Sequence, residues 1–231
     1  MNNKTVNKTF LWLALAAGTA GLLVGCKSAN YKQADKTGSG IAGFRTEILN
    51  GKKAIDATMA SLGQIEATAA TDPRKSYDQY AKDVSNLEST AAKIRKRGED
   101  MRAQGKAYFD QWEQQLAGVK NPEIQELAKQ RRAKLQETFD NIKTVAEPLK
   151  AQFDPWMSDL KDLQKYLSND LTVNGVDAAK SLFKKAQGDG IEVQKSMDAL
   201  VKELNSISAT ITAAKVQPQP APTKEASAAE K

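Results

Sequence analysis

Thiol, carboxylate and basic side chains are the only groups in this chain whose type and spacing suggest chemistry, because the sequence contains no histidine. Ser-His and Cys-His nucleophile pairs and histidine-ligated zinc are thereby excluded. The single thiol, Cys26, directly follows Gly25 at the end of an uncharged, Leu/Ala-rich stretch that begins at Thr9. Lys4 and Lys8 precede that stretch. A basic start, an apolar run and small residues before a cut are the order of an export signal. The run is shorter than the ~20 apolar residues a membrane-spanning helix needs, so residues 1–25 are expected to be removed. With no histidine to activate it, Cys26 is not expected to act as a catalytic nucleophile. Paired carboxylates, Glu99 with Asp100 and Asp159 with Asp162, have no neighbours that would desolvate them, so an acid/base role is not expected. With a single thiol and no imidazole, no metal or other cofactor is expected.

The basic residues form two runs. Lys93, Arg95, Lys96, Arg97, Arg102 and Lys106 make the first; Lys129, Arg131, Arg132 and Lys134 make the second. If the chain folds back between them, they meet as a surface for an anionic lipid or cell-wall polymer. The alternative is a solvated face with acidic neighbours. The formal net charge of +6 is mild. An exported chain has little access to nucleic acid, so none is expected as a partner.

Leu23-Val24-Gly25-Cys26 resembles the bacterial lipobox, at which diacylglycerol joins the thiol before cleavage between Gly25 and Cys26. The resemblance implies a lipoprotein whose Cys26 carries diacylglycerol and an N-acyl chain such as palmitate. Two or three chains, at ~0.8 kcal/mol per buried CH₂, hold a protein firmly on a bilayer. Lys27 stands where an aspartate favours inner-membrane retention in enteric-type lipoproteins. The resemblance therefore favours the periplasmic face of the outer membrane.

Four elements must carry these groups. Lys27 to Gly40, with Gly38-Ser39-Gly40, reads as a flexible tether, giving residues 26–40 as lipidated N-terminus and linker. Beyond it apolar residues fall into heptads. Ile41, Ile48, Ile55 and Leu62 are seven apart, with Phe44, Met59 and Ile65 between them. Asp72-Pro73 signals a new helix start, Asp72 supplying the N-cap oxygen and Pro73 needing no amide partner in the first turn. The second stripe runs Tyr77, Tyr80, Val84, Leu87, Ala91, Ile94, Gly98, Met101, Gly105, Tyr108 and Trp112. Gly118 to Pro122 is a tight connection. The third stripe runs from Leu135 through Phe139, Ile142, Phe153, Trp156 and Leu163 to Leu167. Its register passes unchanged through Pro148 and Pro155, which predicts a kink or a short break between Glu147 and Pro155. After a turn at Asn169 to Gly175, Ala179 to Ile211 forms the fourth, weakened at Gly188 and Gly190.

The fold class is all-α: an elongated, antiparallel, up-and-down bundle of about four long amphipathic coiled-coil helices over residues 41–215. An open coiled-coil hairpin pair that dimerises is the alternative. Residues 216–231, rich in Pro and Ala, are expected to be a disordered tail. The aromatic residues lie on seam positions and read as core. Ala91, Gly98 and Gly105 lie one heptad apart. They either admit a partner helix closely or leave room beside Tyr108 and Trp112 for an apolar guest.

Tyr31, Glu47-Ile48-Leu49, Phe109-Asp110-Gln111-Trp112-Glu113, Ala146-Glu147-Pro148-Leu149, Phe153 and the Leu160 to Leu171 series resemble a bacterial family of helical coiled-coil envelope proteins catalogued as a domain of unknown function. The likeness covers roughly Tyr31 to Ile211, and the second step, Asp154-Pro155, departs from it. No activity comes with the resemblance. The leading expectation is a non-enzymatic, lipid-anchored spacer or adaptor that meets an envelope protein or a second copy through its helices. The alternatives are an apolar-ligand carrier or sensor that opens at its Gly/Pro weak points and, less favoured, a carboxylate-only hydrolase.

Overall fold

The computed structural model describes residues 29–216, with side chains for residues 32–211. The Gly25/Cys26 cleavage and lipidation site and the tail from residue 217 lie outside the described residues. Four helices account for the structure: α1 (Ala29–Thr68), α2 (Arg74–Leu116), α3 (Pro122–Asn169) and α4 (Val173–Val216). There is no strand among the described residues. At ~1.5 Å per residue the helices, 40 to 48 residues long, are about 60–70 Å rods.

The helices pack as an antiparallel up-and-down bundle with neighbours α1/α2, α2/α3, α3/α4 and α4/α1, while the backbones of the diagonal pairs stay more than 8 Å apart. Cross-helix bonds set the register. Gln33 Nε2 donates to the Gln104 carbonyl at 3.2 Å between α1 and α2, and Tyr80 Oη donates to the Leu160 carbonyl at 2.8 Å between α2 and α3. Trp156 Nε1 donates to the Ala186 carbonyl at 2.7 Å between α3 and α4. Gln194 Nε2 donates to Asp56 at 2.6 Å between α4 and α1. The seam forms one continuous core: Ile41, Ile48, Ile55, Leu62, Tyr80, Leu160, Leu167, Phe183, Leu204 and Ile207 are sealed from solvent. Burial of such side chains contributes roughly 1.5–3 kcal/mol each, which a single amphipathic helix cannot obtain alone.

Two sequence expectations are corrected. The expected tether, residues 26–40, is helical from Ala29 onward. Ala34 and Thr37 continue the buried line one heptad upstream of Ile41, and Thr37 Oγ1 donates to the Gln33 carbonyl at 2.9 Å. Gly40 belongs to this contact, because a Cβ there would lie 2.1 Å from the Gln104 side chain. Asp72 does not occupy the N-cap of α2. Pro73 does, while Asp72 accepts from the Arg74 amide and side chain. The cap at Asn121 follows the sequence signal, its Oδ1 accepting from Glu123 N and Ile124 N with Pro122 next in line. Helix α3 runs unbroken through Pro148 and Pro155. Both prolines are exposed and one heptad apart, so the backbone groups they leave unbonded face water.

Candidate functional site

Of the four helix interfaces, α2/α3 is the thinnest, and a groove of about 510 Å³ opens there. Its cause lies in the small residues. Ala91 and Gly98 on α2, on either side of Ile94, and Ala146 on α3 give it small side chains where large ones would fill the space. Phe44 of α1 and Met197 and Leu200 of α4 form the floor, so the groove reaches the bundle core. A Cβ on Gly98 would meet the Phe44 ring at 3.3 Å.

Gly105, one heptad on, behaves differently. The Phe139 ring occupies its Cβ space, 2.1 Å from the ideal position. Phe139 stacks edge-on against Phe109 with centroids 5.8 Å apart, and Tyr108 meets Phe109 at 5.3 Å and Trp112 at 5.6 Å. This aromatic plug closes one end of the groove. The room for an apolar guest thus lies at Ala91 and Gly98, not beside Tyr108 and Trp112.

The mouth carries charges of both signs: Arg95, Arg102, Lys143 and Lys150 with Glu99, Asp140, Glu147 and Asp154. Arg95 Nη2 lies 2.7 Å from Asp154 Oδ1 and spans the opening from α2 to α3, its guanidinium 5.8 Å above the Phe153 ring. Both partners are half exposed, so the pair is worth at most about 1 kcal/mol and acts as a latch that opens cheaply.

The basic residues do not gather into one patch. At about 100° per residue, Arg95, Arg102 and Lys106 share the side of α2 toward α3, while Lys93, Lys96 and Arg97 lie on roughly the opposite face. All six are exposed. Lys106 pairs with Asp110 at 2.6 Å. In the second run Arg132 Nε donates to the Phe109 carbonyl at 3.2 Å and its Nη2 meets Glu113 at 3.0 Å. That run therefore begins along the rod where the first ends, with acidic partners interleaved. Arg131 neighbours Tyr108 and opposes the upward shift that burial imposes on its hydroxyl.

Burial pushes the Tyr80 hydroxyl well above the ordinary tyrosine range, so it stays protonated and clamps α2 to Leu160. The Asp159 carboxylate accepts from Lys185, whose ammonium bridges Asp159 and Asp189 and is held well above the usual lysine range by those bonds. Asp159 is a cross-helix brace and not one half of a free acid pair. Among the described residues no group of three or more His, Cys, Asp or Glu side chains could hold a metal ion. No described helix is long and apolar enough to cross a membrane. Sequence reasoning missed the Arg95–Asp154 latch, although Asp154-Pro155 stood out as a departure. It also passed over Ile124 and Leu127, apolar residues that precede the seam and are 52% and 60% exposed.

A family model described as "Protein of unknown function (DUF2959)" matches residues 44–212. The chain belongs to this family. Every residue lining the groove, from Phe44 to Leu200, lies within the DUF2959 domain, whereas Tyr31 falls outside it. No curated protein and no solved structure matches the chain.

Proposed function

We propose that this DUF2959 protein is a lipid-anchored, non-enzymatic spacer or adaptor of a bacterial envelope, held at the outer membrane through acylated Cys26. One observation carries the reading: Ala29, the first described residue of α1 and three residues after Cys26 in sequence, lies toward an end of the rod. Acyl chains at Cys26 would fix the bundle end-on. The turns at residues 69–73 and 170–172 would then stand about 60 Å from the membrane, where they would meet a partner. Those turns are small and polar, with Thr71, Asp72 and Thr172 exposed. Photocrosslinkers at Thr71 and Thr172 in intact cells test the reading. A discrete crosslinked envelope protein from these sites supports it, and crosslinks confined to mid-rod helix faces would count against it.

The α2/α3 groove favours a second reading, an apolar-ligand carrier. Its volume lies within the ~300–1,000 Å³ of small-molecule sites, and its walls are apolar beneath a polar mouth. Lipid extraction and mass spectrometry of the purified chain distinguish the two. A stoichiometric apolar guest, lost in Ala146→Trp, supports a carrier.

A further inference from the structure

Two rims flank the α2/α3 groove, and charge alternates along both. On α3 Asp140, Lys143, Glu147, Lys150 and Asp154 follow one another at three- and four-residue steps, and on α2 Arg95, Glu99 and Arg102 do the same. That spacing keeps each series on one side of its helix, with successive charges one turn, about 5–6 Å, apart. All of them are exposed. Only Arg95 and Asp154 pair. The other six join no ion pair among the described residues, although the bundle closes such one-turn pairs elsewhere, at Lys106–Asp110, Lys185–Asp189 and Lys195–Glu192. Free charges of both signs therefore stand over the groove in equal number.

Beneath the rims the walls are apolar. The space comes from the side chains missing at Ala91, Gly98 and Ala146, a width suited to one alkyl chain. Along α2 the groove extends from Ala91 to Arg102, about 16 Å of helix. One leaflet of a ~30 Å hydrocarbon core is about as deep, so the length matches a lipid acyl chain. The rims decide the head. A fatty acid or an alkylamine carries one sign of charge and would set it beside a like charge one turn away on either rim. A zwitterion with its anion and cation one turn apart meets an opposite charge at both ends. Phosphoethanolamine is such a group, its two-carbon bridge separating phosphate from ammonium by a distance close to one helical turn. Its ammonium donates to carboxylates, while the cations of the rim donate to its phosphate. A choline head has no hydrogen to donate and favours open aromatic faces. The three rings that line the groove, Phe44, Phe139 and Phe153, are buried.

We propose that the groove holds one acyl chain of a phosphoethanolamine lipid, with the phosphate on Arg102 and Lys143 and the ammonium on Glu99 and Glu147. The Phe139 ring stands against Gly105, which fixes the level of the two antiparallel helices. Arg102 and Lys143 each lie about one turn from that contact, and Glu99 and Glu147 about two turns, in the same direction along the rod. Gly98 and Ala146 adjoin the two carboxylates, so the chain descends where side chains are missing. This occupant rests on the carrier reading above and needs no lipid anchor.

The test mixes the purified full chain with phosphatidylglycerol vesicles that contain a trace of lysophosphatidylethanolamine bearing a diazirine near the end of its acyl chain, followed by irradiation and peptide mapping. Adducts should fall on the groove walls, between Ala91 and Met101 of α2 and between Ile142 and Phe153 of α3. Unlabelled lysophosphatidylethanolamine should displace the probe at a concentration at least about tenfold lower than the fatty acid, alkylamine or lysophosphatidylcholine of the same chain length, the margin expected of charge-assisted bonds. Glu99→Lys with Glu147→Lys replaces both carboxylates of the ammonium site with cations at exposed positions. The double variant should keep the parent's melting temperature, lose that preference and favour the fatty acid. Groove adducts that all four amphiphiles displace alike, or a double variant with the parent's preference, overturn the inference and leave the carrier reading standing. Adducts absent from the groove refute the carrier reading and the inference with it.

Discussion

Gly105→Ala and Gly188→Ala make the same chemical change in two helix interiors and should move stability in opposite directions. At Gly188 nothing lies within 4 Å of an added Cβ. Alanine there gains only helix propensity, about 0.5–1 kcal/mol. At Gly105 the new methyl would stand 2.1, 2.5 and 2.8 Å from three atoms of the Phe139 ring. Carbon atoms rest about 3.5–4.0 Å apart, so the ring must retreat by about 1.4 Å or more. It cannot do so freely, because Phe109 holds its other edge. Overpacking of this kind costs about 1–3 kcal/mol. Set against the propensity gain, the net is a loss of about 1–2 kcal/mol. For a chain of this size each kcal/mol is worth about 2–4 °C in Tm. Gly105→Ala should therefore melt about 2–8 °C below the parent and Gly188→Ala about 1–4 °C above it, followed by far-UV circular dichroism. Equal stabilisation by both would mean that Phe139 does not fill the space at Gly105, and the α2/α3 packing described here would be wrong.

Leu163→Asp places a charge at a site 4% exposed and should cost about 4 kcal/mol or more, read as an early urea midpoint. Tyr80→Phe removes the bond to the Leu160 carbonyl and should cost about 1 kcal/mol by the same assay. Burial raises the folded-state pKa of Tyr80 and Tyr108. Their contribution is therefore complete below the unfolded tyrosine value, about 10, and is lost as pH rises above it. Alkaline titration should show these two phenols ionising only as the protein unfolds, and early ionisation of all tyrosines would contradict their burial. Arg95→Ala opens the latch over the groove and should change Tm by no more than a few degrees, since the pair is half exposed.

The helices were legible because the seam excludes charge: the stripe from Tyr77 to Trp112 and that from Ala179 to Ile211 are buried or half-buried at every position. The Asn121-Pro122 start was legible for a local reason, since cap and first turn are set by adjacent residues. The first turns of α1 were not. Gly38-Ser39-Gly40 has the composition of a linker, and tertiary contacts hold it as helix, with Ala34 and Thr37 buried and Gly40 against Gln104. Packing outweighs propensity there. The groove was half legible. Ala91, Gly98 and Gly105 mark close approach or space, but which one holds depends on whether Phe139 or Ala146 stands opposite. That pairing is a tertiary fact with no local signal. The splitting of the first basic run has an angular cause, because residues two apart, as Lys93 and Arg95 or Arg95 and Arg97 are, point to opposite sides of a helix.

The central claim, that the bundle is held end-on by lipid at its α1 end, stands or falls on the N-terminus of the native protein. Intact-mass and N-terminal peptide analysis of the chain from membranes should find Cys26 as the first residue, carrying diacylglycerol and an N-acyl chain, and Cys26→Ser should leave an unprocessed or mislocalised product. A mature protein that begins at Met1, or that carries an unmodified thiol at Cys26, would contradict it.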